Sequence, residues 1–150
     1  MRSKYNKYPY IELDENIPIY TGWESIGNKI RDEIDSLGKK KIKVAVEFYQ
    51  GVYSKEVGEQ FRNLLNPDLI VNAEDSMHEE EDIWKMVYPD VTDNRIFGYL
   101  TRLTIDRYYD KQKIEATRQK IDRQNEGLVV VFGTGATLVC DDYDLLVYAD

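Results

Sequence analysis

The stretch Ile42–Leu65 constrains the fold more than any other part of the chain. It begins with a nearly unbroken apolar run, passes through Gly51 and ends in a segment whose apolar residues recur at helical spacing. An apolar run of this length is typical of a strand that is buried on both faces, as in parallel sheets. We therefore predict a strand over 42–49, a turn at Gly51 and a helix over 54–65.

The same alternation continues along the chain. Apolar runs predict further strands over 68–72, 127–133 and 143–149, and apolar residues at helical spacing predict a helix that ends at Gly38. Buried strands that alternate with amphipathic helices favour an α/β fold with a mostly parallel sheet flanked by helices. In such sheets, ligands bind beyond the carboxyl ends of the strands.

Capping patterns predict where two helices begin. Thr21 and Glu24 form the pair T-x-x-E before the first helix, and Ser76 and Glu79 repeat a similar spacing before another. That second helix is predicted to end at Pro89, because proline cannot continue a helical hydrogen-bond ladder.

Three segments carry weaker patterns. Arg95–Thr101 is predicted to be a strand, and the highly charged segment 110–125 an exposed helix at best. Near the N-terminus, one or two short strands are predicted around a turn at Asp14–Asn16, from the apolar residues Ile11, Leu13, Ile17 and Ile19.

Gly51 lies where a phosphate-binding loop would join a strand to a helix. The pattern G-x-x-x-x-G-K-[ST] fails there, because Val52 and Tyr53 follow Gly51 in place of lysine and a small hydroxyl residue. Lys55 lies within one turn and could still meet an anion at the helix N-terminus. The alternative is an ordinary strand-to-helix turn with a solvated Lys55.

Gly133, Thr134 and Gly135 form a second candidate anion site. Glycines one residue apart after a buried strand predict a nest of backbone N–H groups that a ligand can approach closely. A tight turn into the next helix explains them equally well. The segment is not a dinucleotide fingerprint, which would need glycine at Leu138.

Acidic side chains stand close to these turns. Glu47 and Glu56 flank Gly51 and would repel a polyphosphate unless a cation bridged them. Glu74 and Asp75 directly follow the strand at 68–72, and Asp75 is a candidate Mg²⁺ ligand or general base there. The structural alternative is that Asp75 stabilises a helix N-terminus.

Composition excludes several classes of function. The 150 residues suit one domain, and there is no apolar run of about 18 residues that could span a membrane. The net charge of −8 disfavours nucleic-acid binding, which requires a basic field. A single cysteine, Cys140, cannot form an internal disulfide, and we expect a reducing, cytoplasmic location.

The order of these segments resembles P-loop small-molecule kinases of the uridine kinase type. Five segments are more specifically similar to the kinase-like N-terminal module of class I mannose-6-phosphate isomerase-like cupin proteins, and together they span most of 17–150. They are IPIYTGWESI, VEFYQGVY, LNPDLIVNAEDS, IFGYLTRLTIDRYYD and GLVVVFGTGATLV with YDLLVYAD. The resemblance implies a P-loop kinase-like fold joined to a metal-binding isomerase domain.

The resemblance also sets expectations for residues and partners. Arg102, with Arg107 and the pair Tyr108-Tyr109, occupies the region that carries substrate and lid contacts in such kinases. The chain ends at Asp150 before the arginine-bearing helix of kinases and contains no cupin. It is therefore expected to be a single kinase-like domain, either truncated or a fragment of a longer cupin-containing protein, or a module that stands alone.

Three hypotheses of function follow. The first is a degenerate kinase-like accessory or ligand-binding domain, with a small phosphorylated ligand and a fused cupin domain as possible partners. The second is an active phosphotransferase with a non-standard loop, in which Lys55 and Arg102 bind phosphates and Asp75 binds Mg²⁺ beside a nucleotide. The third is a docking or oligomerisation module, which would form an oligomer and bind no ligand.

Overall fold

The computed structural model describes residues 8–12 and 18–149. The helices are α1 (Trp23–Leu37), α2 (Ser54–Leu65), α3 (Glu80–Val91), α4 (Lys111–Asp122) and the short α5 (Ala136–Val139). The strands are β1 (Lys41–Phe48), β2 (Leu69–Asn72), β3 (Gly127–Gly133) and β4 (Leu145–Ala149), and two 3₁₀ turns span Ala73–Ser76 and Ile105–Tyr108. Within the described residues, no helix combines the length and apolar character needed to cross a membrane.

The four strands form one sheet in the order β2-β3-β1-β4, and every neighbouring pair is parallel. β1 and β3 are central, and Val44 of β1 is paired with Val130 of β3, both fully buried. This burial on both faces explains why the two strands are apolar almost throughout. The predicted α/β fold with a parallel sheet flanked by helices is confirmed.

Helices cover the two faces of the sheet with separate apolar cores. The first core joins α1 and α2 to the sheet through Ile30, Ile34, Phe61 and Leu65. The second core contains residues of α4 and α5, among them Ile121 and Val139, together with the buried Tyr109. The segment 110–125 is therefore more than an exposed helix, because Ile121 anchors α4 in the second core.

The chain leaves the two central strands in opposite directions. After β1 it enters α2 on the first core and reaches β2, whereas after β3 it enters α5 on the second core and reaches β4. Adjacent strands whose following helices lie on opposite faces leave a crevice between their carboxyl ends, which is where ligands bind in open α/β sheets. This topology therefore favours a ligand-binding site in the β1–β3 crevice.

Both predicted capping boxes are wrong. α1 begins at Trp23, and Gly22 is its N-cap with a φ of 79°, a conformation that glycine adopts without strain. Ser76 ends a 3₁₀ turn and is fully buried, with its Oγ 3.1 Å from Thr117 Oγ1, so Glu79 takes the N-cap position of α3. The Ser76 hydroxyl, which the local pattern had assigned to a helix cap, thus makes a tertiary contact with Thr117 instead.

The predicted end of α3 is also wrong, because Pro89 lies inside the helix, which continues to Val91. Proline this close to a helix C-terminus disrupts only the last turns. The predicted end of α1 at Gly38 is confirmed, since that residue is the C-cap in the left-handed conformation.

The predicted strand Arg95–Thr101 is wrong. No strand in the described part of the chain pairs with this segment, and the Asn94 side chain binds its start instead: Asn94 Oδ1 accepts from the N–H groups of Ile96 and Phe97. The predicted N-terminal turn at Asp14–Asn16, with Leu13 and Ile17, lies outside the described residues. Ile11 and Ile19 are described, and they are exposed and belong to no strand.

Gly58 gives a test of the packing between α2 and the sheet. A Cβ added at Gly58 would lie 2.5 Å from Cζ of Phe132. We expect Gly58→Ala to destabilise the fold by about 1 kcal/mol, because overpacking costs roughly 1–3 kcal/mol and exceeds the gain of about 1 kcal/mol in helix propensity. Urea unfolding measures the change.

The matched control for this prediction is Phe132→Leu. In that background the clash is relieved. The double variant Gly58→Ala/Phe132→Leu should therefore lose less free energy of unfolding than the sum of the losses in the two single variants. Additive effects would show that α2 and the Phe132 ring do not meet as described.

Candidate functional site

The crevice between the carboxyl ends of β1 and β3 is lined by polar groups from several elements. Glu47 of β1 is in register with Gly133 of β3, so the two residues lie side by side at the edge of the sheet. Glu74 of the first 3₁₀ turn and Ser54 at the start of α2 reach the same place. We call this group the sheet-edge crevice.

The carboxylate of Glu47 fills the glycine nest after β3. Its Oε1 accepts from the N–H of Gly135 at 2.5 Å, and its Oε2 accepts from the N–H and hydroxyl of Thr137 at 2.8 and 2.9 Å. Gly135 has a φ of 77°, the left-handed conformation that directs consecutive N–H groups toward an anion. The N–H groups of Gly135 and Thr137 therefore converge on an internal carboxylate rather than on an open position.

A second carboxylate, that of Glu74, completes the sheet-edge crevice. Its Oε2 accepts from Ser54 Oγ at 2.7 Å, and its Oε1 accepts a longer bond of 3.4 Å from the N–H of Thr134. The side chain of Asn72 holds this turn in place by accepting from the Glu74 N–H at 3.0 Å. Glu74 thus ties α2 and β3 to the turn that follows β2.

Tyr109 borders the crevice on its buried side. It is 2% exposed, and its hydroxyl donates to the backbone carbonyl of Thr134. Burial, followed by the nearby charges of Glu74 and Glu47, raises the pKa of the Tyr109 hydroxyl far above its ordinary value. A Cβ at Gly135 would lie 2.6 Å from this hydroxyl, so the close approach requires glycine.

Thr134 contributes an unsatisfied group to the sheet-edge crevice. The residue is 7% exposed, and its Oγ1 has no hydrogen-bond partner within the described part of the chain. Buried hydroxyls normally have a partner. The crevice therefore retains one hydrogen-bonding position that its own residues leave unfilled.

The predicted site residues separate into different environments. Gly51, with a φ of 100°, lies in the exposed turn before α2, and Lys55 is exposed in the first turn of that helix and makes no hydrogen bond or ion pair with any described residue. Gly133, Thr134 and Gly135 lie in the crevice. Only this second glycine turn is built around an anion.

Asp75 and Arg102 lie outside this arrangement. Asp75 is exposed, and it is its neighbour Glu74 that reaches the crevice. Among the described residues, no group of three or more acidic, histidine or cysteine side chains is placed to hold a metal ion. Arg102 lines a separate cavity of about 620 Å³, to which no residue of the sheet-edge crevice contributes.

Sequence reasoning recognised Glu47 and Glu74 as acids near the turns but missed that they are hydrogen-bonded to the nest. The signal was a glutamate one residue before the end of an apolar central strand, a position where a charge needs partners. The role of Tyr109 in closing the crevice was also missed, because nothing local distinguishes it from Tyr108.

Glu47→Gln tests the internal anion. The amide keeps the size of the side chain, but its NH₂ group must face one of the N–H donors of Gly135 or Thr137. We expect a loss of about 1–3 kcal/mol in the free energy of unfolding, measured in urea, since hydrogen bonds to charged groups contribute about this much. The control Glu56→Gln, at an exposed residue of α2, should change it by less than about 0.5 kcal/mol.

Tyr109→Phe tests the pH dependence of stability. Because the pKa of Tyr109 is higher in the folded than in the unfolded chain, its contribution is complete below about pH 10 and declines as pH rises above the unfolded value. Wild-type stability should fall more between about pH 8 and pH 11 than that of Tyr109→Phe. Equal slopes for the two proteins would contradict the assignment.

The comparisons with known proteins identify a family. No curated protein and no solved structure matches the chain. A family model described as a domain of unknown function (DUF8485) matches residues 22–150, a range that includes every helix and strand given above. The chain therefore belongs to this family of domains of unknown function.

Proposed function

We propose that the chain is a degenerate kinase-like domain that serves as an accessory or ligand-binding module of a cytoplasmic mannose-6-phosphate isomerase-like protein and does not transfer phosphate itself. The single observation that carries this proposal is the Glu47 carboxylate in the glycine nest. The parallel α/β fold and the crevice at its topological switch point suit a nucleotide-binding ancestry.

The charges of the crevice oppose a bound polyphosphate. The N–H groups of Gly135 and Thr137 already have an anionic acceptor, and Glu74 adds a second carboxylate beside Thr134. Two like charges about 4 Å apart repel by roughly 4 kcal/mol at the effective dielectric of a protein surface. A phosphate would have to displace Glu47 or bind against this repulsion.

The loop after β1 supplies little that would offset the repulsion. Val52 and Tyr53 stand at the positions of the phosphate-binding lysine and hydroxyl, and Lys55 is exposed. Phosphoryl transfer depends on positioning and charge neutralisation by lysine, arginine and Mg²⁺. Asp75 and Arg102, which would complete an active phosphotransferase, lie outside the sheet-edge crevice.

Calorimetric titration with ATP and Mg²⁺ tests this proposal. We expect no release of phosphate from ATP by the wild-type chain. Tight ATP binding with turnover of the γ-phosphate would contradict the proposal and favour the phosphotransferase, and loss of that turnover in Lys55→Ala would then assign the phosphate contact. Lys120→Ala, which removes a lysine from the last turn of α4, serves as the matched control.

A further inference from the structure

The cavity that Arg102 lines lies between α3 and the segment that follows it. It is open to solvent and has a volume of about 620 Å³, which lies in the range of small-molecule sites. Met86 of α3 and the side chains of Tyr99 and Leu103 give it apolar walls, and Arg102 and Arg107 supply positive charge. We call it the α3 cavity.

The wall of the α3 cavity is fixed to the helix by hydrogen bonds. The N–H of Tyr99 donates to the carbonyl of Asp90 at 2.7 Å, and Thr92 Oγ1 donates to the carbonyl of Phe97 at 2.9 Å. A Cβ at Gly98 would lie 2.7 Å from the Asp90 carbonyl, so glycine permits the close contact. The segment is therefore seated on the helix without forming a strand.

The two arginines lack ionic partners. Among the described residues, neither Arg102 nor Arg107 has a hydrogen bond or a carboxylate within ion-pair distance of its side chain. Of the residues that the structure describes, Asp90 is the only acidic one that lines the α3 cavity with them, which leaves one net positive charge in a chain of net charge −8. Guanidinium groups in this arrangement suit bidentate recognition of a carboxylate or phosphate.

The adjoining space extends toward the sheet. A cavity of about 610 Å³ shares Met86, Leu103 and Arg107 with the α3 cavity and reaches Tyr109. Its carboxylates, Asp106 and Asp110, are engaged: Asp106 accepts from the Thr104 hydroxyl, and Asp110 accepts from the first N–H groups of α4.

Its other charged and titratable side chains are Lys111 and His78, whose Nδ1 is 4.0 Å from Asp110 Oδ2. Lys111, like Arg102 and Arg107, forms no ion pair with a described residue.

We infer that the α3 cavity binds a small organic anion, a phosphate or carboxylate group carried on an aromatic or other apolar body. Arg102 and Arg107 bind the anionic group, and Tyr99, Met86 and Leu103 pack against the body. This inference rests on the ligand-binding part of the proposed function, but it places the ligand away from the carboxylates of the sheet-edge crevice. Contact with an arginine pair and an apolar wall predicts selectivity for anions that carry a ring.

Calorimetric titration of the full chain with phenyl phosphate, inorganic phosphate and phenol tests the inference. We expect phenyl phosphate to bind more tightly than either of the other two, since only it engages both the arginines and the apolar wall. The double variant R102A/R107A should weaken phenyl phosphate by at least about tenfold, because charge-assisted hydrogen bonds are lost. R62A/R123A removes the same charge from exposed arginines elsewhere and should leave binding within about twofold.

Two further variants separate the parts of the site. Tyr99→Ala should weaken phenyl phosphate while leaving inorganic phosphate unchanged, because it removes only the apolar wall. R102K/R107K keeps the charge but loses the planar fork, so its affinity should lie between those of the wild type and R102A/R107A. Circular dichroism checks that each variant is folded.

Two outcomes would overturn the inference. One is the absence of saturable phenyl phosphate binding to the wild type, and the other is binding that R102A/R107A leaves intact. Binding that survives this change and tightens in Glu47→Gln, which removes a competing carboxylate charge, would place the anion in the sheet-edge crevice instead. None of these results depends on ATP turnover, which tests the proposed function separately.

Discussion

The arrangement of the sheet-edge crevice depends on one interaction, the carboxylate of Glu47 held by the backbone of the turn after β3. This contact exists because β1 and β3 pair in parallel with Glu47 beside Gly133, which brings the side chain to the start of the turn. A charged side chain beside the buried centre of this strand pair would be costly without partners. Here the N–H groups of Gly135 and Thr137 donate to the carboxylate. The same contact gives these N–H groups, at the start of α5, an acceptor.

Glu74 and Tyr109 extend this interaction into a connected group. Glu74 joins the start of α2 to the N–H of Thr134, and the Tyr109 hydroxyl donates to the carbonyl of the same residue. The glycines on either side of Thr134 are required by this crowding, since a Cβ at Gly133 would lie 2.9 Å from Asn72 Oδ1. Glycines that look like a ligand-binding motif thus serve packing around internal anions.

Electrostatics divides the carboxyl side of the molecule into two regions of opposite preference. The sheet-edge crevice contains two carboxylates and an unsatisfied hydroxyl, whereas the α3 cavity contains two arginines that form no ion pair with a described residue, beside the single carboxylate of Asp90. These charges oppose an external anion in the crevice, and they are the basis on which we infer anion binding in the cavity.

The sequence by itself determined the elements whose patterns are local. The apolar runs of β1 and β3 and the spacing of α2 fixed these elements, because burial on both faces or on one stripe leaves a periodic signature. It did not determine the caps of α1 and α3 or the loop at Arg95–Thr101, where tertiary contacts or the lack of a ladder partner decided the outcome. Only the tertiary structure joined Glu47 to Gly135, 88 residues apart, because strand order and register decide which side chain meets which amide.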